Sequence, residues 1–169
     1  MSDKLDIDQI DRKILDVLQR DTNQSIADIG SKVGLSQTPC WKRIQRLERL
    51  GIIQKRVALL DASKLDLSVT AFVTISVGDH SEPALQRFRT EASRFPEVLD
   101  IHRMAGEHDY ILRVVLPTVN AYDTFYRKLI DTVSVPLKKV TSHFAIESVK
   151  ATTALPIIAA PERRLEAAE

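Results

Sequence analysis

The spacing of apolar residues changes along this chain from a helical to a strand-like pattern, and that change constrains the fold most. Through the first fifty residues, apolar side chains recur every three or four positions, as in amphipathic helices. From Val69 to Val77 every second residue is apolar, which indicates a strand with one buried face. A length of 169 residues is enough for a small core in each part. The sequence therefore predicts an α+β protein with two domains.

The first part is predicted to contain three short helices. The stretch Asp6–Arg20 forms the first, Ser25 caps the second, and Gly34 ends it. A third helix follows at once, with Ser36 as its cap and Gly51 after its last turn. Its predicted buried stripe consists of Trp41, Ile44, Leu47 and Leu50. Two helices joined by a tight turn predict a helix-turn-helix, whose second helix enters the DNA major groove tip first.

The charge of the chain is concentrated in one segment. The net charge is only +1, but residues 30–60 hold seven Lys or Arg and a single Glu, a local balance of +6. A local basic segment is typical of a polyanion-binding element, although a solvated helix face is the alternative. Lys42, Arg43, Arg46 and Arg49 are the predicted phosphate contacts. Ser36, Gln37 and Thr38 lie at the helix tip, where amide and hydroxyl groups suit base edges.

The second part is predicted to be a βαββαβ, ferredoxin-like domain. After the strand at Val69–Val77 come a helix, two strands at Val98–Met104 and Tyr110–Leu116, a second helix, and a last strand at Val140–Ile146. Both helices would cover one face of the sheet, leaving Phe72 and His143 exposed on the other. A second copy of the chain is the expected cover for that face.

The predicted domain boundaries follow from these patterns. Residues 1–60 form a winged helix-turn-helix domain, in which Ile52–Leu60 supplies a wing or β-ribbon, and residues 61–67 form a hinge. Residues 68–150 form the ferredoxin-like domain, and residues 151–169 form a tail. The last ten or so residues of the tail are predicted to be poorly ordered, with a short docking segment at Leu155–Ile158.

The sequence offers little support for catalysis. The four histidines have no convincing metal-ligand spacing, and the sequence has no phosphate-binding glycine loop or nucleophile motif. We therefore predict no catalytic residue, no metal and no cofactor. An enzyme built on the ferredoxin-like domain stays the alternative, and an RNA-binding module has weaker support because only 5% of residues are aromatic. Cys40 is predicted to be a packing residue rather than a redox sensor. One cysteine and no long apolar run predict a cytoplasmic protein outside the membrane.

Several motifs together resemble the Lrp/AsnC (feast/famine) family of transcription regulators. They are Thr38–Arg43, Leu50–Ile53, the Gly106–Tyr110 turn and Thr152–Pro156. Within that family the chain is most similar to the DecR-type, cysteine-responsive members. The resemblance implies an N-terminal helix-turn-helix, a ligand-binding domain of the ferredoxin-like type found throughout the family, and an amino-acid effector. It also implies homodimers that bind double-stranded DNA. These dimers are expected to assemble further, commonly to octamers.

The resemblance also implies where the effector binds. The implied effector residues are Met104, Gly106, Glu107, Asp109, Thr141 and Ser142. On the residues alone, the Gly106–Tyr110 turn offers carboxylates for a ligand ammonium and backbone amides for an anion, and a solvated hairpin turn is the alternative.

Overall fold

The computed structural model describes residues 7–157 and divides the chain into two compact units. The first unit is Met1–Ala58 together with Lys150–Glu169, and the second is Leu59–Val149. The chain thus crosses between the units twice, because its C-terminal segment groups with the N-terminal helices. The expected disorder of the last ten residues lies outside the described residues. Across residues 7–157, no helix has the length and apolarity needed to span a bilayer.

The first unit contains the three predicted helices. They are α1 (Gln9–Arg20), α2 (Ile26–Val33) and α3 (Gln37–Arg49). Asp8 caps α1 in a capping box with Asp11, and Ser25 accepts the Asp28 N–H at the start of α2. Gly34 has φ +76°, a left-handed conformation that favours glycine and turns the chain from α2 into α3. The helix-turn-helix prediction is confirmed.

The buried stripe of α3 differs from the prediction. Cys40, Ile44 and Leu47 are fully buried in the core, whereas Trp41 is 50% exposed and Leu50 is only partly buried. Residues three apart drift about 60° around a helix at each step, so four such residues cannot share one buried stripe. Spacings of four and three, as from Cys40 to Ile44 to Leu47, keep the side chains in phase. Cys40 is therefore a packing residue, as predicted.

The predicted wing is not formed. Residues 52–60 contain no strand, and the large apolar residues Val57, Leu59 and Leu60 are exposed. A strand needs a neighbouring edge to pair its backbone groups, and residues 7–157 of a single chain provide none here. The predicted hinge at residues 61–67 includes a short 3-10 helix at Ala62–Leu65, within the second unit.

The second unit has the predicted βαββαβ order. Its elements are β1 (Val69–Val77), α4 (Glu82–Ala92), β2 (Val98–Arg103), β3 (Tyr110–Leu116), α5 (Val119–Thr132) and β4 (Leu137–Phe144). The strands form one antiparallel sheet in the order β2-β3-β1-β4. The last strand begins and ends earlier than predicted, because its register with β1 pairs Val77 with Leu137 and Ala71 with Phe144. The ferredoxin-like fold is confirmed.

The two faces of this sheet differ in burial. The alternating apolar residues of β1 and β3 are buried in a core with Phe88, Phe125 and Leu129 from the two helices. Phe72 lies on the other face, beside its β4 partner His143, and both are exposed as expected. That face also holds a groove of about 260 Å³ lined by Phe72, Asp100, His102, Ile111 and Arg113.

Candidate nucleic-acid interface and effector turn

The outward face of α3 carries polar and cationic side chains. Thr38, Lys42, Gln45 and Arg49 recur at helical spacing opposite the buried Cys40, Ile44 and Leu47, and all four are exposed. Lys42 and Arg49 form no ion pair with any part of the chain that the structure describes. Their charges therefore face solvent without local neutralisation, as a phosphate-binding surface requires.

Two further cations of α3 have a different environment. The Arg43 side chain donates to Asp8 at 2.7 Å and to Asp11 at 2.8 Å, while Arg46 donates to Asp11 at 3.0 Å. Partial burial would raise the pKa of the Asp8 carboxyl, but the Asp11 N–H and Arg43 outweigh this effect and lower it. These arginines hold α3 against α1, although both were predicted from the sequence to contact phosphates.

Asp11 is a structural residue that the sequence-based predictions did not include. It is fully buried, the one buried charged side chain among residues 7–157, and its two carboxylate oxygens accept from different arginines. A signal was present in the sequence, since Asp11 lies three residues before Ile14 and seven before Leu18, on the apolar stripe of α1. A carboxylate at such a position needs cationic partners on the helix packed against it.

The N-terminal tip of α3 is open. Ser36, Gln37 and Thr38 are all exposed, and the Ser36 side chain makes no capping hydrogen bond. The backbone N–H groups of a first helical turn lack partners within the helix, and the helix dipole adds partial positive charge there. This tip can therefore accept an anion or hydrogen-bond to base edges.

The turn between β2 and β3 is held by Asp109. Its Oδ2 accepts the Val77 N–H at 2.8 Å, and its Oδ1 lies 2.9 Å from Nε2 of His80. Partial burial would raise the pKa of the Asp109 carboxyl, but the Val77 N–H and His80 outweigh that effect and lower it. Both oxygens are thus engaged within the unit, so Asp109 shapes the turn in this structure.

The rest of the turn faces solvent. Met104, Gly106 and Glu107 are exposed, and Gly106 has φ +136°, a conformation that side chains disfavour. Lys139 of β4 donates to Glu107 at 2.9 Å, and this hydrogen bond lowers the pKa of the Glu107 carboxyl. Neither Lys139 nor His80 was among the predicted site residues, because both lie far from the turn in sequence.

The remaining two predicted effector residues point in opposite directions. Thr141 and Ser142 are neighbours on β4, and successive side chains of a strand alternate between its faces. Ser142 faces α5, where its hydroxyl contacts that of Tyr122, while Thr141 shares the open face of the sheet with Thr74. The structure therefore does not bring the side chains of all six predicted effector residues together at one site.

The C-terminal segment of the first unit docks on α1. Gln19 donates to the Leu155 carbonyl at 3.0 Å and accepts the Leu155 N–H at 2.8 Å, and Arg12 donates to the Ile157 carbonyl at 3.0 Å. The reciprocal pair at Gln19 satisfies both backbone groups of Leu155 with one side chain. A docking segment was expected at Leu155–Ile158, of which Ile158 lies outside the described residues.

Comparison with known proteins identifies the family. Residues 7–48 match the model of the AsnC-type helix-turn-helix domain, and residues 70–155 match that of the Lrp/AsnC ligand binding domain. The DNA-binding transcriptional activator DecR of Escherichia coli K12 is 49% identical over 152 residues, covering 89% of this chain and 99% of DecR.

Solved structures give the same result. The crystal structure of an AsnC family transcriptional regulator from Agrobacterium tumefaciens is 49% identical and superposes with a TM-score of 0.85, covering 89% of this chain and 97% of that one. A Neisseria meningitidis transcriptional regulator in complex with L-methionine is 30% identical, with a TM-score of 0.84, over 90% of this chain and 97% of its own. These matches point to regulators rather than enzymes. The chain belongs to the Lrp/AsnC family of transcription regulators.

Proposed function

We propose that the chain binds double-stranded DNA through α3 and that an amino acid modulates this binding. The observation that carries the proposal is the outward face of α3, where Lys42 and Arg49 lie exposed on the same side as Thr38 and Gln45. In a helix-turn-helix, that face and the helix tip enter the major groove. A DNA-binding regulator acts on the chromosome, so the cytoplasm is the compartment we assign.

The predicted DNA contacts divide into three groups. Lys42 and Arg49 neutralise phosphates, while Ser36, Gln37 and Thr38 at the tip hydrogen-bond to base edges or to the nearest phosphate. Arg43 and Arg46 act first through Asp11, by fixing how α3 packs against α1. Arg43 uses one nitrogen for this purpose, and a guanidinium carries further N–H donors that can reach a flanking phosphate.

The effector is proposed to be a free amino acid bound at the turn between β2 and β3. Glu107 supplies a carboxylate for the ligand ammonium, the backbone at Gly106 supplies N–H groups for its carboxylate, and exposed Met104 contacts its side chain. Asp109 holds the turn, and Thr141 contributes from the open face of β4, whereas Ser142 faces α5 and acts only indirectly, through Tyr122. The L-methionine complex of the Neisseria relative supports this ligand class, and cysteine is the first ligand to test.

A second copy of the chain is proposed to complete the assembly. The sheet face around Phe72 and His143 is exposed in the single chain, and a homodimer would cover it before dimers join into a higher oligomer such as an octamer. Effector binding at such an interface would change the spacing of the α3 helices. A coupling of about 1–3 kcal/mol would alter DNA affinity by roughly 5- to 150-fold.

The test is DNA binding measured with and without each amino acid. Short duplexes selected from a random library by the full chain are labelled, and their affinity is measured by fluorescence anisotropy at several salt concentrations. We expect one selected motif, a steep salt dependence and a shift in affinity with one or a few amino acids. Failure to select any motif would refute the DNA-binding proposal, whereas selection without any amino-acid effect would refute only the effector proposal.

A further inference from the structure

The half-exposed indole of Trp41 is not part of the hydrophobic core of the first unit. It is 50% exposed on the second turn of α3, and it is the chain's single tryptophan. Within residues 7–157 the indole forms no hydrogen bond, and every ring–ring contact of those residues lies in the second unit. This large ring is therefore available to a ligand that reaches the outward side of α3.

The position of Trp41 on the helix places it near the tip. It lies four residues after Gln37, three after Thr38 and four before Gln45, so it shares a side of α3 with all three. Helical side chains lean toward the N-terminus and cover the turn that precedes their own Cα. The indole therefore extends over the turn that contains Gln37 and Thr38, the part of a recognition helix that contacts base edges.

The charges around the indole favour nucleic acid as its partner. Lys42 follows it directly, and Arg49 lies two turns further along the helix; both are exposed, and neither forms an ion pair within residues 7–157. Glu48, the one acidic residue of α3, is already paired with Arg56 at 2.8 Å. An apolar ring bordered by unneutralised cations matches the major groove, where the thymine 5-methyl group is the apolar feature among polar base edges.

We propose that Trp41 reads thymine, by packing its indole against a 5-methyl group in the major groove beside the bases contacted by Gln37 and Thr38. This inference rests on the proposed DNA binding and names one determinant of its sequence preference. Burying one methyl group is worth about a fourfold change in affinity. The selected motif is therefore expected to contain a thymine at a fixed distance from the bases read at the tip.

The test is a double-mutant cycle between protein and DNA. The full chain and its Trp41→Ala variant are titrated against the selected duplex and against the same duplex made with deoxyuridine in place of thymidine, which removes the methyl groups and keeps the base pairing. We expect deoxyuridine to weaken the wild-type complex about fourfold for each contacted methyl and to leave the Trp41→Ala complex unchanged. Val57→Ala, which truncates another exposed apolar residue of the first unit, is the matched control and should keep the full deoxyuridine effect.

Two further measurements make the outcome decisive. Trp41→Phe retains an aromatic ring and should recover part of the deoxyuridine effect, and it replaces Trp41→Ala if that variant does not fold. In the wild type, DNA should protect the Trp41 fluorescence from iodide quenching. Equal deoxyuridine effects in wild type and Trp41→Ala, or unchanged quenching, would overturn the inference. If the wild type selects no motif at all, the proposed function has failed instead.

Discussion

Replacing Asp11 by Asn should destabilise the first unit by far more than replacing Asp16, a partly exposed aspartate of the same helix. Asp11 is buried and accepts from Arg43 and Arg46, so the change removes the charge that two guanidinium groups face. The substitution preserves the size of the side chain, and an amide oxygen can still accept one hydrogen bond. The comparison therefore isolates the charge.

The magnitude follows from the exposure of the partners. Removing one member of a fully buried ion pair costs about 3–5 kcal/mol. Here the Arg43 and Arg46 side chains keep 30% and 39% of their surface in solvent, so water recovers part of their solvation. We therefore expect a loss of about 2 kcal/mol in the free energy of unfolding. Asp16→Asn, which breaks the pair with the exposed Arg20 on the same helix, should lower the free energy of unfolding far less, because solvent screens that pair.

The assay is urea unfolding followed by Trp41 fluorescence. Because the chain has one tryptophan and it lies in the first unit, this signal reports that unit alone. Added salt should shrink the small Asp16 effect and leave most of the Asp11 effect, since buried pairs are screened less. If Asp11→Asn and Asp16→Asn lower the unfolding midpoint equally, the role assigned to Asp11 in holding α3 against α1 is wrong.

Three other predictions concern separate parts of the chain. Lys42→Ala should weaken binding to all duplexes alike and reduce the salt slope by about one unit, with Lys13→Ala on α1 as the unaffected control; an unchanged slope would remove Lys42 from the phosphate contacts. Asp109→Asn should destabilise the second unit at neutral pH by about 1–2 kcal/mol, measured in a Trp41→Phe background by urea unfolding and near-UV circular dichroism of the three tyrosines, all of which lie in that unit. The folded state lowers the pKa of Asp109 from 3.8, so the contribution of its charge is fully present above that pH and is lost as the pH falls through the lowered pKa; a wild-type advantage that does not decline on acidification below pH 3.8 would contradict this assignment. Gln19→Ala should release the C-terminal segment and speed hydrogen exchange of the Leu155 amide, whereas Gln24→Ala should not; unchanged exchange would show that Gln19 does not hold the segment.

The order of residues along the chain was enough to specify the elements of both units and their succession. The strand at Val69–Val77 and the turns at Gly34 and Gly106 could be predicted from the sequence. Apolar alternation, helix capping and the preference of left-handed positions for glycine all depend on residues only a few positions apart. The basic segment likewise located the candidate DNA interface within one helix. These features are local, so the pattern of residue types is sufficient to predict them.

Packing in three dimensions decided which side chains of α3 are buried, ion-paired or exposed. The side of α3 that packs against the other two helices determined that Cys40, and not Trp41, is buried in the core. The predicted wing did not form because residues 52–60 have no neighbouring strand to pair with in the part of the chain that the structure describes. In the sequence, the four cations of α3 are equivalent candidates for phosphate contacts. In the structure, Asp8 and Asp11 of the α1 region form ion pairs with Arg43, and Asp11 also pairs with Arg46. A cation's role is set by the charges and the burial around it in space, which residues more than thirty positions away supply here.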